Sequence, residues 1–514
     1  MNAWMSSSLG DALAAGVPEH GAVRVWAHAA RPGSARVRAL ADGKTIAEAP
    51  LEFAAESGCT AAVTLPCRGD TGGSIALQLI RDGEICATAR ARVCPAPGTW
   101  ANQRLSFAVT SCHQPFTDEG ALHPASMSML DAACTQVETD EVPFILLMGD
   151  QLYTDAPASR SLFDARYAKT LGVDDILECS AARVREILHR RYARFAGAPG
   201  FARLLGSTAT LPMPDDHEFI DNFGTHPDHA TPRWRAFREG ALAAYRDWQG
   251  ARATLSELPG ASLDYSFTWG PVAVYGLDVR SNRVTADGRT RPYTDEQLSN
   301  LRRFLEEHRR WPVLALMVSI PLVHASSAWT DAATSMLPKG SDVHERWSHE
   351  SCVEARDRLL AAIVEHSAAN AHQRVVLLGG DVHAGAAYEV DFAEDGVQLL
   401  QLTSSPLTNE EGWINAKAGE LAARAVSTLD LADGRHAAVT RMRGLEPGVD
   451  HNPFGGLNMG LVDIETDARG VPTVGFRLVS HDGEGQPKTV FATGPLGRRP
   501  DPDRRILGLP PSKR

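Results

Sequence analysis

Seven short apolar runs constrain this chain more than any other feature. They are LSFAVTS, PFILLMG, ATLPMP, VAVYGLD, VLALMVSIP, VVLLGG and VQLLQLT, spread over residues 105–403. Runs of this length without polar alternation are what strands look like when both faces are covered, and the longer stretches between them carry helical patterning. Helices are expected around Phe163 to Arg194 and over Trp234 to Trp248, Thr294 to His308 and Cys352 to Ala369. Thr294, with Gln297 three residues on, forms a capping box for the third of these. A layered α/β domain is the expected result.

The texture before it is different. From Val17 to Pro97 the runs AVRVWAHA, SARVRAL, CTAAVTL, SIALQLI and ICATARARV alternate apolar and polar residues, with breaks at ArgProGly, AspGly and GlyAspThrGlyGly. Period-two patterning with such turns predicts an N-terminal antiparallel β-sandwich of the immunoglobulin or fibronectin kind over residues 1–97. A linker at Cys94–Thr99 then leads to the layered α/β domain over residues 98–514. A length of 514 residues suits two domains. The sandwich shows no chemistry of its own, and a carbohydrate- or partner-binding role is its functional alternative.

Each of the seven apolar runs ends in reactive side chains. Cys112 and His113 follow the first, Asp150 the second, and Asp215, Asp216 and His217 the third. Asp278 and Arg280 follow the fourth, His324 the fifth, Asp381 and His383 the sixth, and Thr403, Ser404 and Ser405 the last. Ligands bind outside the carboxyl ends of strands in open α/β sheets, so these side chains are expected to converge. The densest stretch, LPMPDDHEFIDNF, adds Glu218 and Asp221. Consecutive carboxylates are costly unless a cation neutralises them, water solvates them, or one keeps its proton. In Gly379-Gly380-Asp381-Val382-His383 a carboxylate and an imidazole stand two residues apart, a chelating arrangement.

The candidate metal ligands are therefore Cys112, Asp150, Asp216, Asp381 and His383. Carboxylates suit calcium, magnesium or manganese, imidazole suits zinc or iron, and a thiolate favours iron or zinc, so two or more metal ions are expected. Two metals bridged by a carboxylate clamp an in-line displacement at phosphorus. His217 is placed to give a proton to the leaving alkoxide, and Arg280 to hold non-bridging oxygens. Plain readings stand beside these: a helix cap for Asp215 and Asp216, a small buried hydrophobe for Cys112, an ion pair for Asp278 with Arg280, a loop histidine for His324. The segments Trp347 to Glu350 and Asn452 to Asn458 carry no chemical argument.

GDQLY at 149–153, DDHE at 215–218, LDVR at 277–280 and GGDVH at 379–383, in that order, resemble the PhoD-like or alkaline phosphatase D family of the calcineurin-like metallophosphoesterases. The likeness covers most of the chain, because that family also sets an N-terminal β-sandwich before a four-layer αββα catalytic domain. It implies that Asp150 bridges two metals, that Asp216 stands where the superfamily has the asparagine of GNHE, and that His217 is that motif's catalytic histidine. Asp381 and His383 stand for the two histidines of GHxH, the first replaced by aspartate. Cys112, in TSCHQ, matches an iron ligand, and the family implies iron with calcium. One departure is Gln114, where the family has a tyrosine ligand two residues after the cysteine. Tyr153 and Asn222 fit the family pattern as ligands or supporting groups.

The expected activity is metal-dependent hydrolysis of a small-molecule phosphate ester, monoester or diester, by a metal-bound hydroxide without a phosphoenzyme. A non-catalytic metal- or ligand-binding protein on the same fold is the alternative, although His217, His383 and Arg280 are not what a structural calcium site needs. A net charge of -12, with no basic run, argues against a nucleic-acid surface. Eight cysteines without a CxxC pair suit a reducing compartment. With no export signal and no apolar run of about eighteen residues, a cytoplasmic protein without a membrane span is expected. A periplasmic or secreted protein trimmed at its N-terminus would read the same way, and the oligomeric state stays open.

Overall fold

A computed structural model of the chain describes residue 4 and residues 9–67, 73–98, 100–253, 262–336, 341–410 and 413–497. Most of the GlyAspThrGlyGly break, Thr99 of the expected linker and the chain beyond residue 497 lie outside the described residues.

Seven strands come first: β1 (Ala12–Glu19), β2 (Ala22–His28), β3 (Gly33–Ala41), β4 (Lys44–Phe53), β5 (Thr60–Pro66), β6 (Ser74–Arg81) and β7 (Glu84–Arg92). Next are β8 (Arg104–Thr110), β9 (Phe144–Met148), β10 (Ala209–Met213), β11 (Tyr265–Trp269), β12 (Val272–Leu277), β13 (Val284–Ala286), β14 (Arg289–Arg291), β15 (Val313–Val318) and β16 (Arg374–Gly379). The rest are β17 (Ala386–Phe392), β18 (Val397–Thr403), β19 (Thr428–Asp430), β20 (His436–Arg441), β21 (Met459–Thr466), β22 (Pro472–His481) and β23 (Pro487–Ala492). A nine-stranded sheet runs β23-β22-β21-β8-β9-β10-β1-β2-β5, and an eight-stranded sheet runs β11-β12-β15-β16-β18-β17-β20-β19. A four-stranded sheet, β4-β3-β6-β7, and the β13-β14 ribbon complete this mixed α/β fold.

The seven apolar runs are the strands β8, β9 and β10 of one large sheet and β12, β15, β16 and β18 of the other, parallel within each sheet. Their lack of alternation has a direct cause, because both faces of each sheet are covered. Phe107, Leu146, Val274 and Ala315 point into one core shared by the two sheets. Their neighbours Ala108, Ile145 and Leu147 enter a second core with Leu130, Leu188, Phe195 and Phe237 of the helices. Ala273, Tyr275 and Leu316 enter a third, with Leu301, Phe304 and Leu360.

The helices Pro232–Trp248, Asp295–Glu307 and Val353–Ala369 match the expected spans, and Thr294 and Gln297 form the capping box. The expected stretch from Phe163 to Arg194 divides into Ala165–Thr170, a 3-10 turn at Ile176–Glu178 and the helix Ala181–Ala196. Helices Pro124–Thr139 and Pro199–Ser207 went unforeseen. The first buries small residues such as Ser126, Ala132 and Ala133, so no large apolar stripe marks it. Among the described residues no helix is long and apolar enough to cross a membrane.

The N-terminal strands are continuous with the rest of the fold. β1, which also lacks alternation because six of its residues are buried, pairs in parallel with β10 through Ala15 and Ala209. Val25, Val37 and Leu77 share a core with Phe107, Leu146 and Leu211. A hydrogen-bonded sheet and an apolar core therefore both run across the boundary expected at residue 97. A chain starting at residue 98 would expose the edge of β10 and this apolar surface. It is expected to melt well below the full chain or to aggregate, as read by thermal unfolding and size-exclusion chromatography; an unchanged melting temperature would show that the N-terminal strands stand apart.

Candidate metal centre

The carboxyl ends of the parallel strands in the two large sheets meet. Ser111, after β8, donates from Oγ to the Ser404 carbonyl at 3.2 Å and accepts the Asp381 N–H at 3.2 Å. Ser405 Oγ lies 3.2 Å from Cys112 Sγ. Two glycines permit this approach: a Cβ on Gly380 would lie 2.5 Å from Ser111 Oγ, and one on Gly149, at φ +92°, would lie 2.4 Å from the Asp215 Cβ. Cys112, Asp150, Asn222, Asp381 and His383 all hold positive φ, between 49° and 60°. Each such residue costs about 1–3 kcal/mol and persists only where its surroundings over-determine it, as they do at functional sites.

Asp150, Asp215, Asp216 and Asp381 each bring a carboxylate oxygen to within 4.8 Å of the others, and Asp150, Asp216 and His217 form an overlapping group at the same spacing. Burial pushes the Asp150 carboxyl well above its ordinary range, with the charges of Cys112 and Asp216 adding to the effect. Asp215 is raised by burial too, against the pull of Arg280. Burial also acts on Asp216, but Arg280, His217 and the N–H of Asn222 outweigh it and bring that carboxyl down to about 2. Packed like charges of this kind are what a bound cation resolves. The Asn222 Oδ1, buried without a hydrogen-bond partner, adds one more uncommitted oxygen. The donor set fits a hard divalent cation.

The softer donors sit alongside. Cys112 Sγ is 3.3 Å from Asp150 Oδ2. Burial alone would raise its pKa, yet the His383 charge and hydrogen bond carry it below the usual thiol value. A thiol so biased fits a thiolate ligand. Gln114 does not fill the place of the family's tyrosine, because its side-chain amide closes a turn on Phe116, donating to the carbonyl at 3.0 Å and accepting the N–H at 2.7 Å. The phenol of Tyr153 is buried near Cys112, with its hydroxyl 3.4 Å from Asn409 Nδ2; Asn409 is also 3.4 Å from His383 Nε2.

His217 stacks on Tyr153 with ring centroids 4.0 Å apart. Its Nδ1 is 2.8 Å from Asp155 Oδ1, whose other oxygen accepts the Asp221 N–H at 2.7 Å. Burial would lower the imidazole pKa, but Asp155 and Asp216 raise it well above 6.5. Asp155 was missed in the sequence, although it lies only two residues beyond GDQLY. Glu218 ties the loops after β9 and β10 together. Its Oε2 accepts the N–H of Asp150 at 3.0 Å and of Asp215 at 2.8 Å, and its Oε1 that of Gln151 at 2.9 Å.

Residues 107–450 match the family model described as PhoD-like phosphatase. The chain belongs to that family. The solved structure of PhoD is 15% identical to this chain, covers 97% of it and 95% of its own length, and superposes with a TM-score of 0.63, a likeness of fold. Two β-glucuronidases, from Bifidobacterium dentium and Faecalibacterium prausnitzii, cover 70% of the chain at 9% and 13% identity. They cover 59% and 57% of their own lengths, and their TM-scores of 0.21 and 0.22 carry no argument. No curated protein matches the chain. Membership carries phosphatase chemistry and metal dependence, and the acidic cluster with His217 supplies a place for the metals.

In this PhoD-like chain the residues expected around the centre divide by exposure. The Arg280 side chain is 0% exposed. Its Nε meets Asp215 Oδ1 at 2.7 Å, and its Nη1 meets Glu345 Oε2 at 2.8 Å and the Phe223 carbonyl at 3.0 Å. Those partners make it a support for the loop of Asp215 and Asp216. Asp278 is not its ion-pair partner: Asp278 Oδ1 accepts the N–H of Arg280 at 3.0 Å and of Ser281 at 2.9 Å, capping the turn. His324 is buried with its Nδ1 unpartnered, and burial brings its pKa down to about 3. Glu345 and Arg346, which the sequence did not single out, adjoin the Trp347–Glu350 segment; Arg346 forms an ion pair with Asp381. Removing one member of a buried ionic set leaves the others uncompensated, so Arg280→Met is expected to cost about 3–5 kcal/mol in urea unfolding. A loss under about 1 kcal/mol would show that Asp215 and Glu345 do not depend on it.

Proposed function

We propose that this PhoD-like phosphatase hydrolyses small phosphate esters at the centre built from Asp150, Asp216, Asp381, His383 and Cys112, with His217 as proton donor. The observation that carries the reading is the fixed imidazole. Asp155 holds Nδ1 of His217 at 2.8 Å, stacking on Tyr153 fixes the ring plane, and the carboxylates of Asp150 and Asp216 lie within ligand-sharing distance. A structural cation site has no use for an imidazole oriented in this way, whereas proton transfer to a leaving oxygen requires one.

Asp150, Asp215, Asp216 and Asp381, with Asn222, would hold a hard cation such as calcium, magnesium or manganese; Cys112, Asp150 and His383 would hold iron or zinc. Iron with calcium is the pairing that the family resemblance implies. Such cations supply positive charge for phosphoryl oxygens and make water a nucleophile near neutral pH. The chain's own residues do the rest. Asp150 offers oxygens to both donor groups, Glu218 holds its loop against that of Asp215, and Asp155 keeps the transferable proton of His217 on Nε2. Both phosphomonoesters and diesters suit this chemistry. The reading carries with it an αββα layering of the two large sheets between helices, an N-terminal sandwich joined through β1, and a small-molecule substrate rather than nucleic acid or membrane.

His217→Ala is expected to keep its metals by elemental analysis and to release nitrophenol from mono- and bis-nitrophenyl phosphate about a hundred- to ten-thousand-fold more slowly. Full turnover would remove the proton-donor role. A general acid must hold its proton, so turnover falls as pH rises through its pKa. The Asp155 carboxylate raises the His217 pKa, so in Asp155→Asn the alkaline fall is expected at lower pH. An unmoved alkaline limb would mean that another group sets it. Asp150→Asn is expected to lose metal, and unchanged metal content would refute its place as a ligand.

A further inference from the structure

Arg346, not Arg280, meets the candidate centre from its open side. It comes directly after the short turn Asp342–Glu345; its Nη1 pairs with Asp381 and its Nη2 lies 4.0 Å from Asp342 Oδ2. The Arg346 side chain is 13% exposed and that of Asp381 10%, against 0% for Arg280 and Asp215. His324, from the loop after β15, lies close enough to feel the Arg346 charge, and its Nδ1 is buried without a hydrogen-bond partner. A guanidinium thus stands at the edge of the aspartate cluster, and an imidazole with an unused nitrogen lies within range of its charge.

The Arg346 ion pair engages Nη1 with one oxygen of Asp381. A cation on Asp381 competes with the guanidinium for the charge of that carboxylate, and N–H donors beyond that pairing are then available to another anion. Phosphoryl oxygens are the anion at hand, and the planar fork of arginine matches two of them at once. Arg280 is less suited to serve, because its Nε and Nη1 are committed to Asp215 and Glu345 and its unpartnered Nη2 lies in the same fully buried set. Moving it would strand two carboxylates.

We propose that Arg346, with His324 beside it, forms the subsite for the non-bridging oxygens of the phosphate ester, and that Asp381 releases Arg346 to that task when it takes a cation. The inference rests on the phosphatase reading. Its test is calorimetric titration of inorganic phosphate into the metal-loaded protein, its Arg346→Met and Arg346→Lys variants and His324→Ala, each with metal content measured. Wild type is expected to bind phosphate, and Arg346→Met to bind it about ten- to a hundred-fold more weakly with its metals kept and with KM for nitrophenyl phosphate raised. Arg346→Lys should recover part of the loss, since a point charge replaces the fork, and His324→Ala should show a smaller weakening. Phosphate binding unchanged in Arg346→Met, or a loss that merely tracks lost metal in both Arg346 variants, would overturn the subsite. A wild type that neither binds phosphate nor turns over nitrophenyl esters would instead bring down the phosphatase reading itself.

Discussion

Burying aspartates side by side is the constraint on which the rest of this structure depends. Asp150, Asp215, Asp216 and Asp381 come within 4.8 Å of one another, and Asp150, Asp215 and Asp216 are almost wholly buried. Charge at that spacing is tolerated only with compensation. The chain provides some of it: Arg280 against Asp215, Arg346 against Asp381, and backbone N–H groups of His217 and Asn222 against Asp216. What it leaves over is the requirement for a cation. The same need explains Glu218, an acid placed among acids, because it accepts backbone N–H groups from the loops after β9 and β10 and ties them together.

Such a cluster needs a frame that does not yield. Strands covered on both faces provide one, since most of their side chains are buried against the other large sheet or a helix and small displacements meet close-packed atoms. The candidate ligands sit two to four residues beyond those strands, so they inherit the strands' precision, while left-handed backbone at Cys112, Asp150, Asp381 and His383 turns the chain sharply at the edge. The N-terminal strands extend this frame sideways through β1 and β10.

Residues in direct sequence with a strand end were legible beforehand. Asp150, Asp215, Asp216, His217 and Asp381 were visible because each follows an apolar run, and the structure gathers them in two overlapping groups that share Asp150 and Asp216. Cys112 and His383 were visible for the same reason and lie beside them, in reach of each other and of Asp150 or Asn409. Asp155, Glu345, Arg346 and Asn409 were not, since each lies in a loop whose sequence carries no periodic signal. Arg280 illustrates a different gap. Its residue type and position suggested a phosphate contact, and its partners 65 residues away on either side add a buried support that the sequence did not show.

What the sequence determined by itself was the set of seven doubly covered strands and the chemistry at their ends, because burial on both faces and the need to terminate a strand are local demands written in consecutive residues. β1 escaped notice for lack of alternation, and the helix Pro124–Thr139 for lack of a large apolar stripe. Tertiary structure alone decided which charges meet. The pairing of Arg280 with Asp215 and Glu345, of Arg346 with Asp381 and of Asp155 with His217 depends on how two sheets and several loops approach in space, and Coulomb interactions across such distances in sequence leave no pattern in the order of the residues.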